Sequence, residues 1–202
     1  LTCHSGPPHP DDETYFASAH GQKYLAEGAD WDWSKPLTKG NYPAPTCAYC
    51  HMTGGKHQVA DKAIWKFGIR EVNPKTAENE VKRKRWIAVC TDCHEEGESR
   101  EWLEELDDER KRAWTQLYKA EDELKSLRSD DHIYPAAGER PPYPTDWLDS
   151  VLPFERIGFY EGQASAFYNV SEIERDYFEM WYFNNLAAYK GMAHGAEKIT
   201  SE

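Results

Sequence analysis

Cys47-Ala48-Tyr49-Cys50-His51 is the stretch that decides the fold. Cys90-Thr91-Asp92-Cys93-His94 repeats its form downstream. Both read Cys-x-x-Cys-His, the attachment signature of a c-type haem. The spacing follows from the chemistry. Two thiols must reach the two vinyl groups of one porphyrin, and the adjoining histidine then lies under the iron as an axial ligand. Leu1-Thr2-Cys3-His4 is the back end of a third copy, whose first cysteine would stand immediately before Leu1. This start predicts that the chain is a segment of a longer polypeptide.

Five cysteines is an odd count, and all five fall inside these signatures. No disulfide framework is needed. A lone signature could be a redox dithiol, but two copies and a half argue against that. A structural zinc site is the other alternative. It would want four ligands from paired clusters, whereas each histidine here is fused to its own cysteine pair. Three covalent haem c groups are therefore expected. They would be attached through Cys3, Cys47, Cys50, Cys90 and Cys93, with His4, His51 and His94 as proximal ligands.

The composition agrees. Only 39% of the 202 residues are hydrophobic, which is thin for a self-sufficient core, yet 13% are aromatic. Porphyrins are large apolar plates that replace side-chain core, and aromatics pack on their faces. The net charge of −12 argues against nucleic acid or an anionic membrane surface and fits a basic redox partner. No run of about 18 apolar residues occurs, so no spanning helix is expected. Covalent haem is attached outside the cytoplasm, which predicts a periplasmic, extracellular or equivalent compartment.

Each haem iron in an electron carrier wants a strong sixth ligand, usually His or Met. Of the remaining histidines, His9, His20, His57 and His194 sit beside a glycine or in a tight loop and are the candidates. Which haem each serves is not readable from the sequence. His132, in an acidic loop, reads as exposed. Met52, Met180 and Met192 are weaker alternatives and better read as packing.

Strand signals are nearly absent, so the fold class is mainly α: haem-packed loops and short helices, then long C-terminal helices. Residues 1–97 read as a haem-binding region and 98–202 as a long-helix region packing in an oligomer. Asp11 or Asp12 could cap a short helix ending at His20-Gly21. Residues 58–85 read as mixed and polar, with Lys82-Arg83-Lys84-Arg85 as a solvated basic face. From Glu98 to Arg128, Leu103, Leu106, Ala113, Leu117, Ala120, Leu124 and Leu127 form a heptad-like stripe interrupted at Arg110. Asp107 with Lys111, Asp108 with Arg112 and Glu121 with Lys125 would support it as i,i+4 pairs. A loop over 129–146 and a further helical region from Asp146 towards Tyr168 follow. Ser171-Glu172-Ile173-Glu174 is a capping box opening a last, buried helix that runs to Lys190, with Gly191 as its stop.

Taken in order, several stretches resemble the C-terminal half of the hydroxylamine oxidoreductase family, the octahaem cytochromes c. Cys3-His4-Ser5-Gly6 with His9, then Ser18-Ala19-His20-Gly21, resembles the sixth haem site. Trp31-Asp32-Trp33 followed by Ala44-Pro45-Thr46 and the first full signature resembles the seventh. Trp86 through His94 resembles the eighth, and Asn184-Asn185-Leu186-Ala187 with Gly191-Met192-Ala193-His194 the late helix. The resemblance implies a mostly helical oxidoreductase, typically a homotrimer. Such enzymes oxidise hydroxylamine or hydrazine, or reduce nitrogen oxides, and pass electrons to a partner such as a small cytochrome c. The catalytic haem would lie upstream of Leu1, and this segment would be its electron relay. In oxidative members a tyrosine from a neighbouring subunit is tied to that haem. No tyrosine follows His194 here, and Tyr177, Tyr182 and Tyr189 read as helix packing. The alternatives from the residues alone are a non-catalytic multihaem conduit with every iron capped by two histidines, or a haem-stapled oligomerisation module.

Overall fold

The computed structural model describes residues 10–37, 41–57, 61–65, 73–133 and 171–196. Among these every regular element is helical, and none is long and apolar enough to cross a membrane. Helix α1 spans Asp11–Ala17 and α2 Ala19–Glu27. The first signature is itself a single turn, α3 (Cys47–His51). Helix α4 spans Ala77–Cys90 and α5 Glu96–Ser129. The last rod is α6 (Glu172–Glu179), a π turn (Met180–Asn184) and α7 (Asn185–His194).

The first helix does not end at His20-Gly21 as expected. Ser18 breaks it in an extended conformation and caps a second helix, its hydroxyl accepting from the Gly21 N–H at 3.1 Å. This break sets His20 on the first turn of α2. Gly21 is required here, because a Cβ would come within 1.9 Å of the Tyr15 carbonyl oxygen.

Helix α5 is 34 residues, about 50 Å at 1.5 Å per residue. Its stripe finds partners within the chain. At one end Leu103 and Leu106 pack with Ile64, Trp65 and Ile87. Farther along, Trp114, Leu117 and Leu124 pack on Tyr177, Phe178, Trp181, Tyr182 and Leu186 of the last rod. Tyr189 touches both clusters. The break in the stripe is also used. Arg110 is buried, donates to the Asn185 side-chain oxygen at 2.9 Å and lies 5.3 Å from the Tyr189 ring. Asn185 closes the π turn, its N–H reaching the Met180 carbonyl.

Helix α4 begins within the stretch read as mixed and polar, and its basic run is not a solvated face throughout. Arg83 is 5% exposed and meets Asp107 of α5 at 2.6 Å. Asp107 also accepts from Trp65 Nε1 at 3.0 Å and pairs with the half-exposed Lys75 at 3.1 Å. Asp107 thus faces inward and does not make the expected pair with Lys111. Arg112 pairs with Glu109 in place of Asp108, while Glu121 and Lys125 do approach, at 3.7 Å. Glu121 is buried and accepts from the Tyr177 hydroxyl. Tyr177, Tyr182 and Tyr189 all pack in the helical core.

The capping box at Ser171 and Glu174 is present. The last helix does not stop at Gly191. It continues to His194 and ends at Gly195, whose φ of 73° is the left-handed cap that glycine accepts without strain. The extra turn carries His194. The helical region expected from Asp146 towards Tyr168 lies outside the described residues.

Candidate functional site

Thr46 caps the turn of α3, its hydroxyl accepting from the Tyr49 N–H, so the first signature folds around its own N-cap. Helix α4 delivers Cys90 from its last residue. A tight turn follows, with the Cys93 and His94 N–H groups both reaching the Cys90 carbonyl, at 3.0 and 2.9 Å. The two signatures touch: the Tyr49 hydroxyl donates to the Asp92 carboxylate. Tyr15 of α1 donates to the Pro45 carbonyl at 2.8 Å and fixes the approach to α3.

Both signatures line one cavity of about 360 Å³, walled by aromatics including Tyr15, Trp86, Trp102 and Tyr189. Cys47, Cys50, Cys90 and Cys93 all reach it. So do His51 and His94, together with His20 and His194. The histidines come in facing pairs. The His51 and His194 ring centroids are 6.1 Å apart, and those of His94 and His20 are 5.9 Å apart. Two metal–nitrogen bonds of about 2.0 Å, plus two imidazole radii of about 1.1 Å, give a separation of roughly 6 Å. Each pair is therefore spaced to hold one metal ion between two rings. Among the described residues no group of three or more His, Cys, Asp or Glu is placed to hold a metal ion by itself.

The electrostatics favour neutral imidazoles, the form that ligates iron. Burial, and then the neighbouring His194, lower His51 to about 4. Burial also lowers His20 and His194. The second nitrogen of two rings is held. His194 Nδ1 lies 2.8 Å from the Lys190 carbonyl and 3.0 Å from the Thr14 hydroxyl. A proton shared with that carbonyl leaves Nε2 unprotonated and able to act as a ligand. His94 Nδ1 lies 3.3 Å from the Glu98 carboxylate, one helical turn on. Helix α7 is anchored at this point by Lys190 and Asp11, at 2.8 Å. Burial pushes the Cys50 thiol up to about 12, which suits a neutral sulfur more than a thiolate.

A family model described as a seven-times multi-haem CxxCH cytochrome matches residues 1–141. This chain is a multi-haem c-type cytochrome. It is similar to a probable nitrite reductase-hydroxylamine oxidoreductase fusion protein of Kuenenia stuttgartiensis, at 32% identity over 254 residues. That match covers 98% of this chain and 30% of the relative. A solved chain of the reducing HAO-like protein complex of the same organism superposes with a TM-score of 0.78 at 27% identity. It covers 99% of this chain and 50% of that one. The cytochrome thus spans half or less of the length of these relatives. The mainly helical fold, the covalent haem c and the resemblance to hydroxylamine oxidoreductase-like cytochromes expected from the motifs all stand.

The other residues expected at haem sites are not among the described lining of the cavity. Cys3, His4 and His9 fall outside the described residues. His57 is exposed and does not line the cavity, and His132 is likewise exposed. Met52 is exposed, and Met180 and Met192 pack against the apolar clusters. Trp31 and Trp33 pack with Tyr24 and Tyr42, away from the cavity. Sequence reasoning missed Lys62 and Glu98 as neighbours of the site. Glu98 could have been found from its i,i+4 spacing to His94. Nothing local marks Lys62.

Proposed function

We propose that this segment is the electron-relay portion of an oxidoreductase acting on small nitrogen compounds, by hydroxylamine or hydrazine oxidation or nitrogen-oxide reduction. In this reading Cys47 and Cys50 would attach one haem, held also by His51 and His194. Cys90 and Cys93 attach a second, between His94 and His20. Cys3 and His4 belong to a third, which leaves His9 and His57 to irons other than the cavity's two. The observation that carries the reading is the pair of facing histidines, each at the spacing of a two-imidazole site and each beside its own cysteine pair.

Haem c supplies one-electron ferric–ferrous chemistry. The chain supplies the rest. His20 and His194 would each help to hold one haem opposite His94 and His51, leaving no place for substrate at either iron. Thr14 and the Lys190 carbonyl orient His194, and Glu98 orients His94. The aromatic wall covers part of the site and lowers the local dielectric there. Tyr49 and Asp92 hold the two attachment segments together. Catalysis would reside on an iron outside this segment, in a homotrimer located outside the cytoplasm or in an equivalent compartment. The redox partner, such as a small cytochrome c, would approach the exposed edge at Cys93 and His94.

Electron paramagnetic resonance of the purified holoprotein tests the assignment. His194→Ala and His20→Ala should each convert one low-spin iron to high spin. Unchanged spectra in both variants would sink it.

A further inference from the structure

The two halves of the cavity are not electrostatically alike. Lys62 is 8% exposed, and among the described residues it makes no close ion pair; the adjoining Asp61 carboxylate acts on it only from farther off. Its ammonium donates to the Cys50 carbonyl and to the Thr53 hydroxyl, both at 2.5 Å. It also lies over the Trp86 ring, 5.2 Å from the centroid. Trp86 in turn donates to the Lys62 carbonyl at 2.9 Å and meets the His51 ring edge-on at 5.5 Å. A buried cation is thus clamped between the attachment turn and the ring that flanks His51. Burying a lysine without a close carboxylate is costly, and two acceptors and one aromatic face are modest compensation. At the other pair the nearest fixed charge is of opposite sign: the Glu98 carboxylate on His94 Nδ1, two-thirds exposed and so partly screened.

We propose that Lys62 is a positioning charge that makes the iron held by His51 and His194 the more easily reduced of the two, so that an electron shared by the pair rests there. The proposal rests on the haem assignment above. Reduction of ferric to ferrous iron removes one unit of positive charge, so a nearby cation favours the product. A carboxylate on a ligand imidazole makes the ring more basic and favours the ferric state at His94. The step is one electron from an external one-electron donor. No bond breaks and no proton moves. At an effective permittivity of about 20, a unit charge changes the oxidised-to-reduced ratio roughly tenfold at about 10 Å, and more when closer.

The test is a redox titration of the holoprotein, with dithionite as donor, followed by electron paramagnetic resonance. The signal lost in His194→Met identifies the iron in question. Lys62→Met should make that iron about tenfold harder to reduce at a given potential, a shift of about 59 mV for one electron. Lys62→Arg should restore it to within about twofold. Should Lys62→Met fail to accumulate, Lys62→Gln, which keeps a donor for the Cys50 carbonyl, carries the same expectation. The proposal is overturned if the charge-removing variant leaves that midpoint within about twofold, or if Lys62→Arg shifts it as far as Lys62→Met. Peptide mass analysis of the wild type separates the two ideas. Haem absent from Cys47 and Cys50 defeats the haem assignment, while haem present with an unmoved midpoint defeats only the role of Lys62.

Discussion

Asp107 is the carboxylate on which the junction of α4 and α5 depends, and Asp107→Asn isolates its charge. In the native chain Asp107 and Arg83 are both 6% exposed at the side chain and 2.6 Å apart. Arg83 has little else to lean on. Its Nε and Nη1 atoms are buried with no hydrogen-bond partner among the described residues, and Glu80, 3.7 Å from Nε, is itself part-exposed. Removing one member of such a buried pair typically costs about 3–5 kcal/mol, because the remaining charge stays buried and uncompensated. The contact to Lys75, whose side chain is 58% exposed, adds less than about 1 kcal/mol. The expected loss is therefore about 4 kcal/mol, a large share of an ordinary domain's stability. The urea midpoint by far-ultraviolet circular dichroism measures it. The exposed control Glu105→Gln should stay within about 0.5 kcal/mol of wild type. Arg83→Met with Asp107→Leu should recover most of the loss, since an apolar pair of similar volume avoids the desolvation penalty. A loss below about 1 kcal/mol for Asp107→Asn, or a double variant as unstable as the sum of the singles, would refute the reasoning.

Gly21→Ala should destabilise the holoprotein by more than about 2 kcal/mol and disturb the low-spin spectrum of the iron at His20, because the new Cβ has no room beside Tyr15. Gly97→Ala, where a Cβ meets nothing within 4 Å on α5, should raise the midpoint by up to about 1 kcal/mol. Ser171→Ala removes half of the capping box and should cost about 1 kcal/mol without moving any haem signal. A double-mutant cycle on Tyr49→Phe and Asp92→Ala should return a coupling of at least about 0.5 kcal/mol; additivity would mean that the two signatures are not tied.

The haem signatures were legible because thioether chemistry forces cysteines and histidine into five consecutive residues. The long helix was legible because its stripe, broken only at Arg110, keeps one period from Leu103 to Leu127. The distal pairing was not, since His20 and His94 meet through the break at Ser18, and His51 meets His194 through the turn between Gly191 and Gly195. Both depend on backbone details that a residue-type reading passes over. The mixed and polar reading of residues 58–85 did not reveal the helix that begins at Ala77, because α4 turns Arg83 and Ile87 towards α5 and shows no continuous apolar stripe. Charged residues gave the poorest guide. Lys62, Arg83, Asp107, Arg110 and Glu121 are all buried, each held by partners distant in sequence, where composition places them in water.

The most direct test of the central claim is the mass of the peptides that span Cys47–His51 and Cys90–His94 in the protein expressed with a c-type haem attachment system. Each should carry one covalent haem, with no thiol at any of the four cysteines left open to alkylation. Alkylatable cysteines on haem-free peptides would contradict it.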